Sequence, residues 1–355
     1  MTNKHKQCHN LLFGMFCQYG TSIEVSDAMK ILVVGGAGYI GSHMVKHLGQ
    51  QGCSVTTLDD LSSGHRDAVL HGDFVQGNFG DRVVLDAVLS RGFDAVMHFA
   101  SFIQVGESVQ HPDKYYRNNT TYTLGLLDAM RAHGVNRFIF SSTAATFGEP
   151  QYTPIDERHP QAPINPYGRS KWMVEQVLAD YERAYGFKSV CLRYFNAAGA
   201  DPEGQLGERH EPETHLIPLV LQVASGRRPN ITVFGRDYDT PDGTCIRDYI
   251  HISDLCSAHW LSLKSLMNGS PSQAYNLGNG NGFSVQDVID TAERITGRKI
   301  AVLNGPRREG DPARLVADAT LAKEQLGWQP QYADLATIVR HAWAWEQKQT
   351  SISHA

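Results

Sequence analysis

This 355-residue chain has no long apolar run, so no part of it reads as a membrane span. Nor has it an excess of either charge: 32 Lys and Arg stand against 37 Asp and Glu, for a net charge of -5. That balance excludes a bulk polyanionic partner, whether nucleic acid or an anionic membrane, while leaving room for a local basic pocket that holds a phosphate. The six cysteines, Cys8, Cys17, Cys53, Cys191, Cys245 and Cys256, include no C-x-x-C pair and no zinc-like spacing. They read as reduced thiols in the core of a cytoplasmic protein, and no metal is expected. Internal repeats and low-complexity tracts are also missing. What remains is an ordinary globular composition, 41% hydrophobic and 19% charged, in a chain long enough for two domains.

Residues 1–28 stand apart. Lys4 and Lys6 precede the apolar run Leu11 to Cys17, as in a secretory signal, but the run is short and broken and no small-residue cleavage site follows. The segment reads as a loose, non-targeting extension, with Met29 a second candidate start directly before the first strand.

From Lys30 onward short β-rich apolar runs alternate with longer helical stretches, the pattern of a Rossmann-like, doubly wound parallel sheet of the α/β class. Strands are expected at 31–34, 54–58, 73–76, 95–99, 137–141 and 189–193, and helices around 44–50, 121–133 and 167–185. Near-continuous apolar strands fit a sheet covered on both faces. After Phe195 the texture turns to Gly, Pro and acidic loops. The expected division is a nucleotide-binding domain at 29–195 and a smaller α/β substrate domain at 196–355, with some segments returning to the first.

Three motifs carry chemistry. Gly35-Gly-Ala-Gly38-Tyr-Ile-Gly41 follows the first strand and opens a helix, so its amides and the helix N-terminus suit a pyrophosphate. Asp59 ends the second strand, where a carboxylate accepts from ribose hydroxyls and repels a 2'-phosphate, favouring NAD over NADP. Ser141-Ser-Thr143 ends another strand and brings hydroxyls to the carboxyl edge of the sheet.

The third motif is Tyr167 with Lys171, four apart on one helix face. Bringing a tyrosine from about 10 to about 7 takes roughly 4 kcal/mol, and one charge about 4 Å away at an effective dielectric near 20 supplies about that much. The lysine is therefore expected to favour the ionised phenol and make it a base.

Together with His98-Phe-Ala100, Gly106-Glu-Ser108 and Arg193-Tyr-Phe-Asn196, these motifs resemble the extended short-chain dehydrogenase/reductase family. Val105-Gly-Glu-Ser-Val109, Tyr115 to Asn119, Asp242 to His251, Tyr275-Asn-Leu-Gly278 and Arg307-Arg-Glu-Gly-Asp311 resemble its branch that epimerises UDP-sugars at carbon 4. The likeness runs from about Met29 to about Trp345.

The resemblance implies reversible interconversion of UDP-glucose and UDP-galactose with retained NAD, through a transient 4-keto sugar. Tyr167 would remove and return the proton of the 4-hydroxyl, Thr143 would bridge that hydroxyl, and Lys171 would also hold the nicotinamide ribose. Gly35, Gly38, Tyr39, Ile40 and Gly41 would meet the pyrophosphate; Asp59, Asp60, Leu61, Ser62, Ser63 and Gly64 the adenosine ribose. Asn78 and Phe79 fall at the adenine end, and Phe99, Ala100, Asn119 and Phe195 along the rest of the cofactor. For the UDP-sugar the matches are Asn196, Leu216, Phe234, Arg247, Arg308 and Asp311, the two arginines facing the diphosphate. The family also implies a homodimer.

Three positions depart from parts of the family. Asn78 stands where some members have Asp, Ile103 where some have a lysine, and Leu315 where some have a tyrosine that crowds the sugar's 2-position. The alternatives are another UDP-sugar, such as a UDP-N-acetylhexosamine, UDP-xylose or UDP-arabinose, and an NAD(H) sensor without catalysis. A 4,6-dehydratase is disfavoured, because Ala144 and Ala145 replace the Asp-Glu that such enzymes carry after the threonine.

Overall fold

The structure, a computed structural model, describes residues 28–308 and 311–353. The extension expected at 1–28 lies, apart from Ala28, outside the described residues, as do Cys8, Cys17, Glu309 and Gly310.

Six strands come first along the chain: β1 (Lys30–Val34), β2 (Ser54–Asp59), β3 (Asp73–Gln76), β4 (Ala95–His98), β5 (Arg137–Thr143) and β6 (Lys188–Tyr194). Five of the six differ from the expected ranges by one or two residues at an end. Eight more follow: β7 (Asn196–Ala198), β8 (Ile231–Phe234), β9 (Ile246–Arg247), β10 (Tyr249–His251), β11 (Gln273–Leu277), β12 (Phe283–Ser284), β13 (Val302–Gly305) and β14 (Arg314–Leu315). The main sheet has seven strands in the order β11-β6-β5-β4-β1-β2-β3, every pairing parallel. This is the doubly wound α/β arrangement expected, with one strand more than the sequence suggested.

The apolar runs are continuous because both faces of the sheet are covered. Ile31 and Val33 pack with Met97, Ile139 and Leu192 beneath the helices Tyr39–Gln50 and Ile252–Met267. Leu32 and Val34 point the other way, into a layer with Phe138 and Phe140 under Arg82–Leu89, Thr123–Ala132 and Pro166–Tyr185. Successive residues of one strand thus supply two cores.

A third core joins the helices Leu216–Ser225, Val285–Thr296 and Leu335–Ser353 to β8, through Ile217, Val220, Val233, Val288 and Val339. Small sheets accompany it: β13 beside β8, β7 beside β10, and β9 between β12 and β14. The helix Ile252–Met267, strand β11 and Trp328 leave this part of the chain to pack on the main sheet.

One expected helix differs in kind. The stretch around 121–133 is an α-helix only from Thr123 to Ala132, preceded by a π-helical turn at Tyr116–Tyr122. Within that wider turn the fully buried Asn119 bonds both main-chain groups of Phe102, at 3.0 Å each. π-turns of this kind frequently mark functional sites.

Candidate active site

The order of strands reverses between β1 and β4, where open α/β sheets leave a crevice at their carboxyl ends. Gly35 follows β1 there with φ +82°, and a Cβ on it would lie 2.4 Å from the amide nitrogen of Ala100. A Cβ on Gly41 would lie 2.1 Å from the Gly35 carbonyl oxygen, whereas one on Gly38 would meet only that oxygen, at 3.6 Å. The outer glycines are thus required by packing, and Gly38 faces open space. It is also the N-cap of Tyr39–Gln50 and has no side chain to satisfy the helix's first amides.

Asp59 braces this loop. Its Oδ2 accepts from the Ala37 amide at 2.9 Å and its Oδ1 from the Leu61 amide at 2.8 Å. Burial raises its pKa, opposed by those two amides. Leu61 holds φ +62° in the turn, and Gly64 packs so closely on Ala37 that a Cβ would approach the Ala37 Cβ to 2.8 Å. Asp60 accepts from Asn78 at 2.9 Å. Ser62 and Ser63 are exposed beside it, and Phe79 is buried edge-on to His98, with centroids 5.1 Å apart.

The helix Pro166–Tyr185 begins where Asn165 accepts from the Gly168 amide at 2.8 Å and Pro166 fills the first turn. This start places Tyr167 one residue into the helix, with Lys171 on the same face. The Thr143 side chain faces the phenol and favours its ionised form, and the phenol ring lies edge-on to Tyr115, 6.5 Å between centroids.

Lys171 behaves differently from the sequence expectation. Its Nζ donates to Ser101 Oγ and to the Ser141 carbonyl oxygen, both at 2.7 Å, and lies 4.9 Å from the Phe140 ring centroid. Burial lowers its pKa to about 7, with Glu175 pulling the other way. Burial also raises the Tyr167 pKa, and the neighbouring Thr143 hydroxyl only partly offsets this. The expected depression of the phenol is therefore reversed here, because burial dominates while the Lys171 ammonium is engaged by Ser101 and Ser141. Ser101, held by Lys171 from 70 positions away, was not picked out from sequence. Its place just after His98-Phe-Ala100 was the available signal.

Beneath the site Glu175 and Arg193 form a buried ion pair at 2.6 Å, and Glu175 also accepts from Ser142. Ser141 Oγ and the Tyr194 hydroxyl are hydrogen-bonded across β5 and β6. Phe99 lies against His259 at 5.1 Å, Ala100 is half-buried, and Tyr39 donates to the Gly199 carbonyl at 2.7 Å with half-buried Ile40 following it.

From Tyr194 the chain leads through Phe195, packed on Ala144 and Phe147 with Leu315, into β7, where Asn196 pairs with Tyr249. Arg247 lies two residues before Tyr249 and is ion-paired to Asp311, with Nη1 also donating to the Pro312 carbonyl at 2.9 Å. Arg308 lies over the Phe234 ring, 4.1 Å from its centroid. In β14, Leu315 is in register with Arg247. Leu216 opens its helix half-buried.

Sheet, glycine loop and Tyr-x-x-x-Lys helix define the class of dinucleotide-binding α/β proteins. The chain belongs to the NAD dependent epimerase/dehydratase family, whose model matches residues 31–278. A UDP-glucose 4-epimerase of Rhizobium meliloti is 52% identical over 90% of this chain and 97% of its own. The crystal structure of a UDP-glucose 4-epimerase from Brucella ovis in complex with NAD superposes with a TM-score of 0.87, at 50% identity, covering 89% of this chain and 98% of that one. A UDP-Glc/GlcNAc 4-epimerase of Campylobacter jejuni is similar at TM-score 0.80 and 45% identity, covering 90% of this chain and all of its own.

Proposed function

We propose that this chain is an NAD-dependent UDP-glucose 4-epimerase that interconverts UDP-glucose and UDP-galactose, with Tyr167 as acid and base. The observation that carries the reading is the grouping of Thr143, Tyr167 and Lys171 at the carboxyl end of β5, on a sheet whose switch point bears the glycine loop. Half-identity to such epimerases along nine-tenths of the chain supports it.

The residues fit NAD. Gly38 leaves a phosphate free approach to uncapped helix amides, and Asp59 offers its carboxylate where a ribose hydroxyl binds and a 2'-phosphate would be repelled. Gly35, Tyr39, Ile40 and Gly41 would hold the pyrophosphate, 59–64 the adenosine ribose, Asn78 and Phe79 the adenine end, and Phe99, Ala100, Asn119 and Phe195 the remainder. When bound, NAD supplies the acceptor for the C4 hydride and a positive charge near the phenol.

Tyr167 takes the 4-hydroxyl proton and returns it to the same oxygen once the sugar has turned its other face. The Thr143 hydroxyl, which faces the phenol, orients that exchange. Lys171, fixed by Ser101 and Ser141, keeps a titrating ammonium in the pocket and holds the nicotinamide ribose. Asn196, Leu216, Phe234, Arg247, Arg308 and Asp311 form the UDP-sugar side, the Asp311 contact keeping the Arg247 fork in place for the diphosphate.

Four buried free thiols support a reducing compartment, and we place the enzyme in the cytoplasm, in galactose metabolism. No helix among the described residues is long and apolar enough to cross a membrane. Exposed Val105, Val109 and Met173 on two neighbouring helices support a homodimer, which light scattering would measure. The function is tested by turnover of a UDP-sugar panel without added NAD. UDP-galactose conversion confirms the reading, and intact bound NAD with no turnover of any UDP-sugar replaces it with an NAD(H) sensor.

A further inference from the structure

Away from the tyrosine, four side chains of the segment between Gly207 and Leu216 converge on one point. Glu208, His210, Glu213 and His215 each offer a ligand atom, and all four atoms lie within 4.8 Å of one another. His210 Nδ1 is 3.0 Å from Glu208 Oε1 and 3.8 Å from Glu213 Oε2; His215 Nδ1 is 2.7 Å from Glu208 Oε1 and 3.2 Å from Glu213 Oε1. Tetrahedral coordination with bonds of about 2.0–2.1 Å has edges of about 3.3–3.4 Å between ligand atoms. The observed separations bracket that edge.

We propose that Glu208, His210, Glu213 and His215 bind one Zn²⁺ ion as a structural site. Two imidazoles with two carboxylates suit zinc, whereas Ca²⁺ and Mg²⁺ take oxygen ligands and more of them. Both carboxylate side chains are only 6% exposed, and a dication neutralises them where water does not. Four protein ligands complete a tetrahedron and leave no position for catalysis.

The site occupies a strategic place. His210 lies edge-on to Tyr39, 6.3 Å between centroids, and Tyr39 opens the helix behind the glycine loop. Arg209 between the ligands pairs with Asp67 beyond the Asp59 turn, and the Glu208 carbonyl accepts from Trp345 Nε1 at 3.2 Å. An ion here fastens one segment to the cofactor side of the sheet and to the last helix. The inference stands independently of the proposed reaction.

The test uses untagged full-length protein, incubated with zinc chloride, desalted and analysed for metal by mass spectrometry. About one zinc per chain is expected in the wild type. The double variant His210→Ala/His215→Ala should fall to background, and Glu208→Gln should bind zinc at least about 10-fold more weakly. Circular dichroism establishes that each variant is folded. In a thermal melt, zinc should raise the wild-type midpoint by a few degrees, raise that of Glu208→Gln by less and leave the double variant unmoved. Wild type at background zinc, zinc unchanged in the double variant, or an equal midpoint shift with Mg²⁺ would each overturn the assignment.

Discussion

The ammonium of Lys171 donates to the carbonyl oxygen of Ser141 at 2.7 Å, so the helix that carries the phenol is pinned to the strand that carries Thr143. Helical periodicity alone put Tyr167 and Lys171 on one face. The strand then takes up the cation, and the phenol is left with Thr143 in a buried pocket that raises its pKa. Under the proposed function, ionising the phenol at neutral pH therefore draws on the charge of a bound NAD.

Replacing Tyr167 by Phe removes the proton carrier and keeps the ring contact with Tyr115. UDP-galactose turnover should fall by about 10²–10⁴-fold, the usual contribution of a positioned acid or base. NAD content and UDP-sugar affinity should stay near wild type. Kinetics on the purified variant, with cofactor measured after denaturation, check this, and undiminished turnover would take Tyr167 out of the mechanism.

Lys171 makes stability depend on pH. Its pKa is about 7 in the folded chain against 10.5 for an ordinary lysine. Below pH 7 both states carry the proton and the folded state bears the full cost of a buried ammonium. Between the two values the unfolded chain binds more protons, so the stability of the folded state rises with pH. At about 1.4 kcal/mol per unit, the NAD-stripped protein should gain about 2 kcal/mol from this group between pH 7 and pH 9. Urea unfolding at both pH values should show that gain in the wild type and lack it in Lys171→Met; identical pH slopes would contradict the buried ammonium.

The glycine loop separates packing from binding. Gly41→Ala forces a Cβ to 2.1 Å from the Gly35 carbonyl oxygen and should cost about 1–3 kcal/mol or more of stability. Gly38→Ala meets nothing closer than 3.6 Å, so its fold should lose less than about 1 kcal/mol. Its methyl group nevertheless stands where a phosphate would approach, and NAD affinity should drop at least about tenfold. Thermal melts with calorimetric NAD titration distinguish the two; equal NAD affinity in Gly38→Ala and wild type would move the pyrophosphate elsewhere.

The first six strands of the main sheet were legible because residues such as Ile31 to Val34 feed two covered faces and leave a continuous apolar run. Strand β11 was not, since it carries Asn276, which is fully buried and donates to the Ile155 carbonyl at 2.9 Å. A polar residue satisfied by a distant loop looks like a loop residue in sequence. The π-turn at Tyr116–Tyr122 escaped for a related reason: Asn119 is held by Phe102, a contact no local periodicity encodes. Within the site, Tyr167 and Lys171 were visible from their spacing, whereas the reversal of the phenol's shift depends on burial by the surrounding fold. The Glu208 to His215 run was rich in ligand residues on the page, but only the folded loop brings their atoms to one point.

Leu315 is where substrate width should be decided. It lies in register with Arg247 on the proposed diphosphate side and packs with Phe195 beside Ala144, the residue after Thr143. A side chain in that position stands between the proposed proton-transfer group and the proposed diphosphate clamp, where the sugar ring must lie. Leucine leaves more room there than the tyrosine of some family members, so the wild type should turn over UDP-N-acetylglucosamine as well as UDP-glucose. Leu315→Tyr should lower kcat/KM for the N-acetyl sugar by about 10-fold or more, the scale of a lost steric fit of 1–3 kcal/mol, with UDP-galactose turnover changed far less. Parallel assays of both sugars on both proteins decide the matter. If the tyrosine variant slows the two substrates equally, Leu315 supports the pocket wall without selecting what enters it.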